Sequence, residues 1–338
     1  MSEPESRIAE ILKNHLGESV RLERLPGDAS DRAFYRVSRA DSGTTAILMT
    51  QETGFNPPTF PFCQMQEFLA RIGIPVPTLE LVLPEEGWIL MADCGKTTLQ
   101  EYLCLQPGTN LEEPYRQAVD LLVVLQDRGA RELPAHYAAA QTRLDRRKLS
   151  EELRFTWQHL FRSLWNRDLS AADDTTLNGW ADDIAVRLEG MDPVLCHRDY
   201  HSRNLLWDGS RLAVVDFQDS RLGPVTYDLA SLLDDPYLAV PEDLKEEMFW
   251  RFLEGKGWGL ERERQLREEL DLAVVQRCLK AAGTYAYQAG VRNRTEYLPY
   301  LPIALGNALR ALRRFTEYNS VLRILEKLGN NTGKLATP

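Results

Sequence analysis

The stretch LCHRDYHSRNLLWDGSRLAVVDFQDSRLGP, Leu195 to Pro224, gathers two histidines, an asparagine, a cysteine and several aspartates around two short apolar runs. Within it, HRDYHSRN has the spacing H-x-D-x4-N, from His197 through Asp199 to Asn204, and Asp216 follows twelve residues later at the end of LAVVDF. The intervening LLWDGSRLAVV reads as a β-hairpin turning at Asp208-Gly209. Such a hairpin folds the chain back, so that the loop bearing Asp199 and Asn204 can lie beside Asp216. Asn204 and Asp216 then offer oxygen donors of the kind Mg²⁺ prefers, leaving room for water and phosphate oxygens. Asp199 remains to accept a proton from an attacking hydroxyl. Phosphoryl transfer needs this division of labour, because its transition state spreads negative charge and is served by metal neutralisation and alignment of the nucleophile.

A metal-cluster reading competes for the same residues. His197, Asp199 and His201 could ligate zinc or iron, but alternate residues in a loop seldom converge without a helix or strand to aim them. No third soft ligand is suitably spaced unless Cys196 turns inward. Cys196 follows an apolar pair and reads as a small core residue. His197 reads as structural, its ring bonded to backbone to brace the loop.

With 338 residues the chain can bury a substantial core, divided into about two lobes. It is 43% hydrophobic and 27% charged, with a formal net charge of −10. That balance argues against nucleic acid or an anionic membrane surface as the main partner, since both need a basic footprint. An anionic substrate stays open, because a bound cation reverses the local sign. No apolar run approaches the ~20 residues of a membrane-spanning helix, and the N-terminal MSEPESRIAEILKNHLG is acidic and helical in pattern, unlike a signal peptide. Five scattered cysteines, never spaced CxxC, read as free thiols of a cytoplasmic protein. Oligomeric state is not legible.

Along the chain, SVRLERL, AFYRVSR, TTAILMT, TLELVLP and GWILMADCG have strand character, and PFCQMQEFLARIGIPVP reads as one helix closed by Gly73 and prolines. Beyond Gly95 the patterns are helical, among them LDRRKLSEELRFTWQHLFRSLW, interrupted only by the opening stretch. An α+β fold is expected: a small antiparallel β-rich N-lobe over residues 1–93 and a larger, mainly helical C-lobe over 94–338.

HRDYHSRN with VVDFQDS resembles the catalytic and metal-binding loops of the aminoglycoside phosphotransferase branch of the protein-kinase-like fold. PGDASDRAFYRV, HRDYHSRNLL, DFQDS and GPVTYDLASLL together look more closely like the bacterial kinases of N-acetylmuramate and N-acetylglucosamine, over about residues 20 to 320. The resemblance implies ATP and Mg²⁺ as cofactors, a small-molecule sugar substrate phosphorylated at its anomeric hydroxyl, and a place in cell-wall precursor recycling. It also implies Asp199 as catalytic base, Asn204 and Asp216 as metal ligands, and Asp228 as a brace for the catalytic loop and cap of the next helix.

No Walker A motif occurs, so the phosphate-covering role falls to PGDASDR, with Gly27, Ala29 and Ser30 small enough for close backbone approach and Arg32 supplying charge. WILMADCG resembles the lobe-connecting hinge, whose backbone from Met91 to Asp93 would meet adenine. The pattern departs in one respect: Met49 stands at about the position where kinase-like β lobes carry a phosphate-reaching lysine, a lysine that the sugar kinases compared also lack, and Arg32 or Arg36 is expected to supply the charge instead. Gln218, Asp219 and His201 are the first candidates for substrate contact, with Gln288 and Arg292 behind them. Two alternatives stand beside the sugar kinase: a kinase of aminoglycosides, choline or amino-alcohols, whose cationic substrates would suit the −10 charge, and a nucleotide-binding pseudokinase.

Overall fold

Period-two alternation sets the sheet. Strands β1 (Val20–Arg24), β2 (Ala33–Arg39), β3 (Thr45–Thr50), β4 (Leu79–Leu83) and β5 (Trp88–Ala92) pair antiparallel in the order β1-β2-β3-β5-β4. The computed structural model describes residues 3–25, 32–95, 97–105 and 111–330, so Gly27, Ala29 and Ser30 lie outside the described residues. Tyr35, Val37, Ala46, Leu48, Trp88 and Leu90 are buried in one cluster with Ile8 and Leu12 of helix α1 (Glu3–Leu16). Arg36, Ile47 and Met91 stand opposite one another across β2, β3 and β5, and so form one row on the other face.

Helix α2 (Pro61–Arg71) starts with proline in its first turn and stops just before Gly73, which takes φ +86°. Its Phe62, Met65, Phe68 and Leu69 join Met49 and Ile89 of the sheet in the main core, which runs on into the helices beyond residue 95.

Those helices are α3 (Leu99–Leu105), α4 (Glu112–Glu132), α5 (Ala138–Gln141), α6 (Arg146–Trp157) and α7 (Ala171–Glu189), then α8 (Tyr227–Leu233), α9 (Glu242–Gly255), α10 (Leu260–Gly290), α11 (Leu301–Leu312) and α12 (Asn319–Asn330). Asp145 and Ser170 cap α6 and α7 by accepting from the backbone N–H of Lys148 (2.8 Å) and Asp173 (3.1 Å). The segment expected as one helix through Trp165 changes winding: it is α-helical to Trp157 and π-helical over Gln158–Leu164. There α10 comes very close. A Cβ on Gly283 would meet Thr156 Oγ1 at 2.4 Å, and one on Gly290 the Ser163 backbone at 3.0 Å. This close approach sets the position of α10 beside α6.

Between α7 and α8 the chain makes four short strands, β6 (Pro193–Cys196), β7 (Leu205–Trp207), β8 (Leu212–Val214) and β9 (Arg221–Pro224), paired β6 with β9 and β7 with β8. No described helix is long and apolar enough to cross a membrane. All five cysteines are free thiols.

Candidate active site

Strand β6 brings the chain out of the core at Cys196, and the loop after it is pinned from several sides. Asp228, in the first turn of α8, accepts from the backbone N–H of His197 (2.6 Å) and of Arg198 (2.9 Å). Its oxygens thus brace the loop rather than bonding to the amides of its own helix. Burial pushes the Asp228 carboxyl up, against the pull of His197 and the two amides. His197 hydrogen-bonds through Nε2 to the Val215 carbonyl at 2.9 Å, and burial keeps its pKa low. Asp235 accepts from the N–H of Ser202 and of Tyr237, both at 2.8 Å, and ties the loop to the segment after α8. Arg198 (φ +81°) and Asp216 (φ +64°) occupy the left-handed region that non-glycine residues rarely adopt, so this web of bonds holds strain at the site.

The hairpin returns the chain as its turn residues dictate. Asp208 Oδ1 accepts from the N–H of Ser210 and of Arg211, both at 2.8 Å, beside Gly209 at φ +100°. The Val215 N–H then donates to the Asn204 carbonyl at 3.0 Å. Asn204 Nδ2 donates to the Asp199 carbonyl at 2.9 Å and to Asp216 Oδ2 at 3.3 Å. Asp199, Asn204 and Asp216 are therefore neighbours. Among the described residues no three His, Cys, Asp or Glu side chains gather as a metal cage, the arrangement that a structural zinc needs. Asn204 and Asp216 instead fit a cation of the Mg²⁺ type, which takes one or two protein oxygens and fills its shell with phosphate and water.

Two cations from one helix meet Asp199. Lys280 Nζ lies 3.1 Å and Arg277 Nη1 3.2 Å from the same atom, Asp199 Oδ1. Burial alone would raise the Asp199 carboxyl, but Lys280 and Arg277, with His201 and Arg198, hold it well below the usual carboxylate range. Burial lowers the Lys280 pKa, and Asp199 opposes that. Arg277 is further fixed by Ser231 Oγ at 2.5 Å and by the Tyr227 ring, 5.1 Å from its guanidinium carbon.

Two cavities meet at this loop. The larger, about 520 Å³, lies between the sheet and the loop; Phe34, Arg36, Ile47, Met91, Asp93 and Phe62 line one side and Asn204, Asp216 and Gln218 the other. The smaller, about 180 Å³, opens beside Asp199 and is walled by His201, Asp234 and Tyr237 and by Arg277, Lys280, Thr284 and Tyr285 of α10. Asp199 thus faces one cavity and Asn204 with Asp216 the other.

The residues expected from sequence fall on both sides. Met91 and Asp93 line the cleft, where Asp93 accepts from Arg36 Nε at 2.8 Å and from the Gly95 N–H at 3.1 Å. Burial would raise Asp93; the hydrogen bonds from Arg36, Thr45 and Gly95 lower it instead. Of the two arginines expected to replace the lysine, Arg36 is thus in the cleft and paired, whereas Arg32 lies 5.7 Å from the Phe60 ring and does not line it. Met49 is fully buried in the core and does not line the cleft.

Of the substrate candidates, His201 lines the smaller cavity, 5.2 Å from the Tyr237 ring, its pKa pushed down by burial to about 3. Gln218 and Asp219 do not line it. Phe217 is buried against Phe62, which turns Gln218 back to donate to Asp216 Oδ1 (2.7 Å) and leaves Asp219 exposed. Gln288 and Arg292 also lie away from that cavity, Arg292 donating to the Tyr287 hydroxyl at 3.0 Å. The residues that do form it, Arg277, Lys280, Thr284 and Tyr237, had one detectable signal: Arg277, Lys280 and Thr284 fall at i, i+3 and i+7, a polar stripe on the mostly apolar second half of the helix.

Residues 21–268 match the model of the phosphotransferase enzyme family. An N-acetylmuramate/N-acetylglucosamine kinase of Pseudomonas aeruginosa is 30% identical over 295 residues, covering 85% of this chain and 82% of that protein. One of the same name from Neisseria meningitidis is 25% identical, covering 89% of this chain and 88% of its own length. Among solved structures, a choline/ethanolamine kinase family protein from Mesorhizobium loti superposes with a TM-score of 0.61 at 18% identity, covering 97% of this chain and all (100%) of that one. An ADP-bound aminoglycoside phosphotransferase superposes at 0.57 with 16% identity, covering 91% and 98% of the two chains. These two likenesses concern the fold, which is that of kinase-like enzymes.

Proposed function

The chain belongs to the phosphotransferase enzyme family and is an ATP-dependent kinase, and from that premise we propose that it phosphorylates the anomeric hydroxyl of N-acetylmuramate and N-acetylglucosamine, supplying sugar 1-phosphates to cell-wall precursor recycling. The observation that carries this reading is the small cavity beside Asp199. Its charged wall is Asp199, Arg277, Lys280 and Asp234, and Asp234 is already paired with Lys245 (2.9 Å) and Arg310. The remaining balance is cationic, which disfavours aminoglycosides, choline and amino-alcohols despite the overall charge of −10. Tyr237 and Tyr285 add aromatic surface on which the apolar face of a sugar ring can rest.

In this reading ATP lies in the cleft between residues 1–93 and 94–338, against the row of Arg36, Ile47 and Met91. Asn204 and Asp216 would hold Mg²⁺, which when bound neutralises phosphate charge. Asp199, its Oδ1 taken by Lys280 and Arg277, presents Oδ2 to the acceptor hydroxyl and holds it in line. The hydroxyls common to both sugars are those on C1, C4 and C6. A carboxylate flanked by two cations is a weak base, and the hemiacetal hydroxyl on C1, the most acidic of the three, asks least of it.

Mg²⁺-dependent ADP release should appear with N-acetylmuramate and N-acetylglucosamine and stay at background with kanamycin and choline. Phosphorus NMR should place the phosphate on C1. Turnover with the cationic acceptors alone would overturn the assignment.

A further inference from the structure

Lys280 is placed in the smaller cavity in a way that its contact with Asp199 leaves unexplained. An ammonium has three donors. Among the described residues Lys280 has one hydrogen-bond partner, Asp199, whereas Arg277 beside it is committed to Ser231, Asp199 and the Tyr227 ring. The Lys280 side chain is 16% exposed, and what it is exposed to is the cavity. The neighbouring Asp234 carboxylate draws on Lys245 and Arg310 from behind the wall, so no acidic group of the cavity other than Asp199 competes for the remaining Lys280 donors among the described residues.

We propose that Lys280 is a specificity-determining residue that receives a carboxylate on the acceptor, so that the enzyme favours a sugar acid over its neutral counterpart. This rests on the acyl-sugar reading above. N-acetylmuramate differs from N-acetylglucosamine by a lactyl ether on C3, whose carboxylate is negative at neutral pH. C3 is one ring carbon beyond C2 from the reacting C1. A carboxylate carried there sits in the same small cavity as the hydroxyl facing Asp199, and Lys280 stands 3.1 Å from Asp199. The acid thus adds a charge-assisted hydrogen bond in a partly desolvated site, where such bonds are strongest. The neutral sugar leaves the donors to water.

The test compares N-acetylmuramate with its methyl ester, which keeps the lactyl group and removes the charge, and with N-acetylglucosamine. Wild type should favour the acid over the ester about tenfold in kcat/KM, the discrimination a charged hydrogen bond supplies. Lys280→Gln and Lys280→Met should lower all three rates together through Asp199 and, in addition, bring the acid-to-ester ratio near one. Lys280→Arg should retain a ratio above one. Where a variant turns over too slowly to assay, calorimetric binding of acid and ester without nucleotide reads the same ratio. A ratio near one in wild type, or one that survives in both neutral variants, overturns the role of Lys280 while leaving the sugar kinase intact. Absence of turnover with all three sugars sinks the acyl-sugar reading itself.

Discussion

The two cavities that meet at the loop are built differently. The cleft takes its walls mainly from the sheet and from the loop with its hairpin, and both cations that line it are engaged, Arg36 with Asp93 at 2.8 Å and Arg203 with Gln100 Oε1 at 2.7 Å and the Tyr237 ring. The smaller cavity takes its wall from one face of α10, and its cations outnumber the carboxylate they share. One side is mostly apolar, with its cations already partnered, as a site for a flat base and a metal-bound phosphate can be. The other is charged and set for a polar acceptor. Asp199 belongs to the second side and Asn204 with Asp216 to the first, although all three lie within one short loop and hairpin.

Breaking each side separately gives different losses. The largest is expected for Asp199→Asn: turnover should drop about a thousandfold or more while the Kd for ATP stays within twofold, because the altered group faces the acceptor. Weakened nucleotide binding of the same size would mean that Asp199 serves the cleft instead. Asp216→Asn should lower kcat about a hundredfold and raise the Mg²⁺ concentration needed for half-activity, while the sugar KM stays put. A Mg²⁺ titration that coincides with wild type would remove Asp216 from the metal.

Arg36→Ala tests whether a paired arginine can still serve phosphate. ATP KM should rise about tenfold and sugar KM should not move. Asp93→Asn, which releases Arg36 from its partner, should shift ATP KM in a way that is non-additive with Arg36→Ala, since the two touch. If neither Arg36→Ala nor Arg32→Ala changed ATP KM or kcat, the charge replacing the absent lysine would have to come from elsewhere.

What was legible in the sequence follows the same division. Alternation in AFYRVSR and TTAILMT places Tyr35, Val37, Ala46 and Leu48 on one face and Arg36 and Ile47 on the other, because strand side chains obey a period of two wherever the sheet lies. Asp199, Asn204 and Asp216 were legible because the hairpin joining them is local. The wall of the smaller cavity was not: Arg277 lies 78 residues from the carboxylate it meets, and the packing of α10 against other helices, α6 at Gly283 and α8 at Ser231 among them, brings it there. Gln218 and Asp219, chosen by nearness along the chain, do not line the smaller cavity, since Phe217 before them is buried and Gln218 donates back to Asp216.

The smallest expected effect concerns the back of the charged side and leaves activity unchanged at neutral pH. Asp271, on α10 six residues before Arg277, is raised to about 6, first by burial and then by the nearby Asp234, against the pull of Arg314 and Arg310. Its nearest cation, Arg314, stands 3.4 Å away. From the ordinary carboxylate range, near pH 4, up to about 6 the native state keeps a proton that the unfolded chain has released, so this group's contribution to stability falls as pH rises through that window and is flat above it. Asp271→Asn has no such proton to lose. Its stability relative to wild type should therefore grow by about 1–3 kcal/mol on going from pH 4 to pH 7, read from urea midpoints at a series of pH values. A difference constant across the series would mean that Asp271 is ionised throughout, with Arg314 outweighing burial. The charged wall would then be balanced from behind as Arg36 is balanced by Asp93 in the cleft.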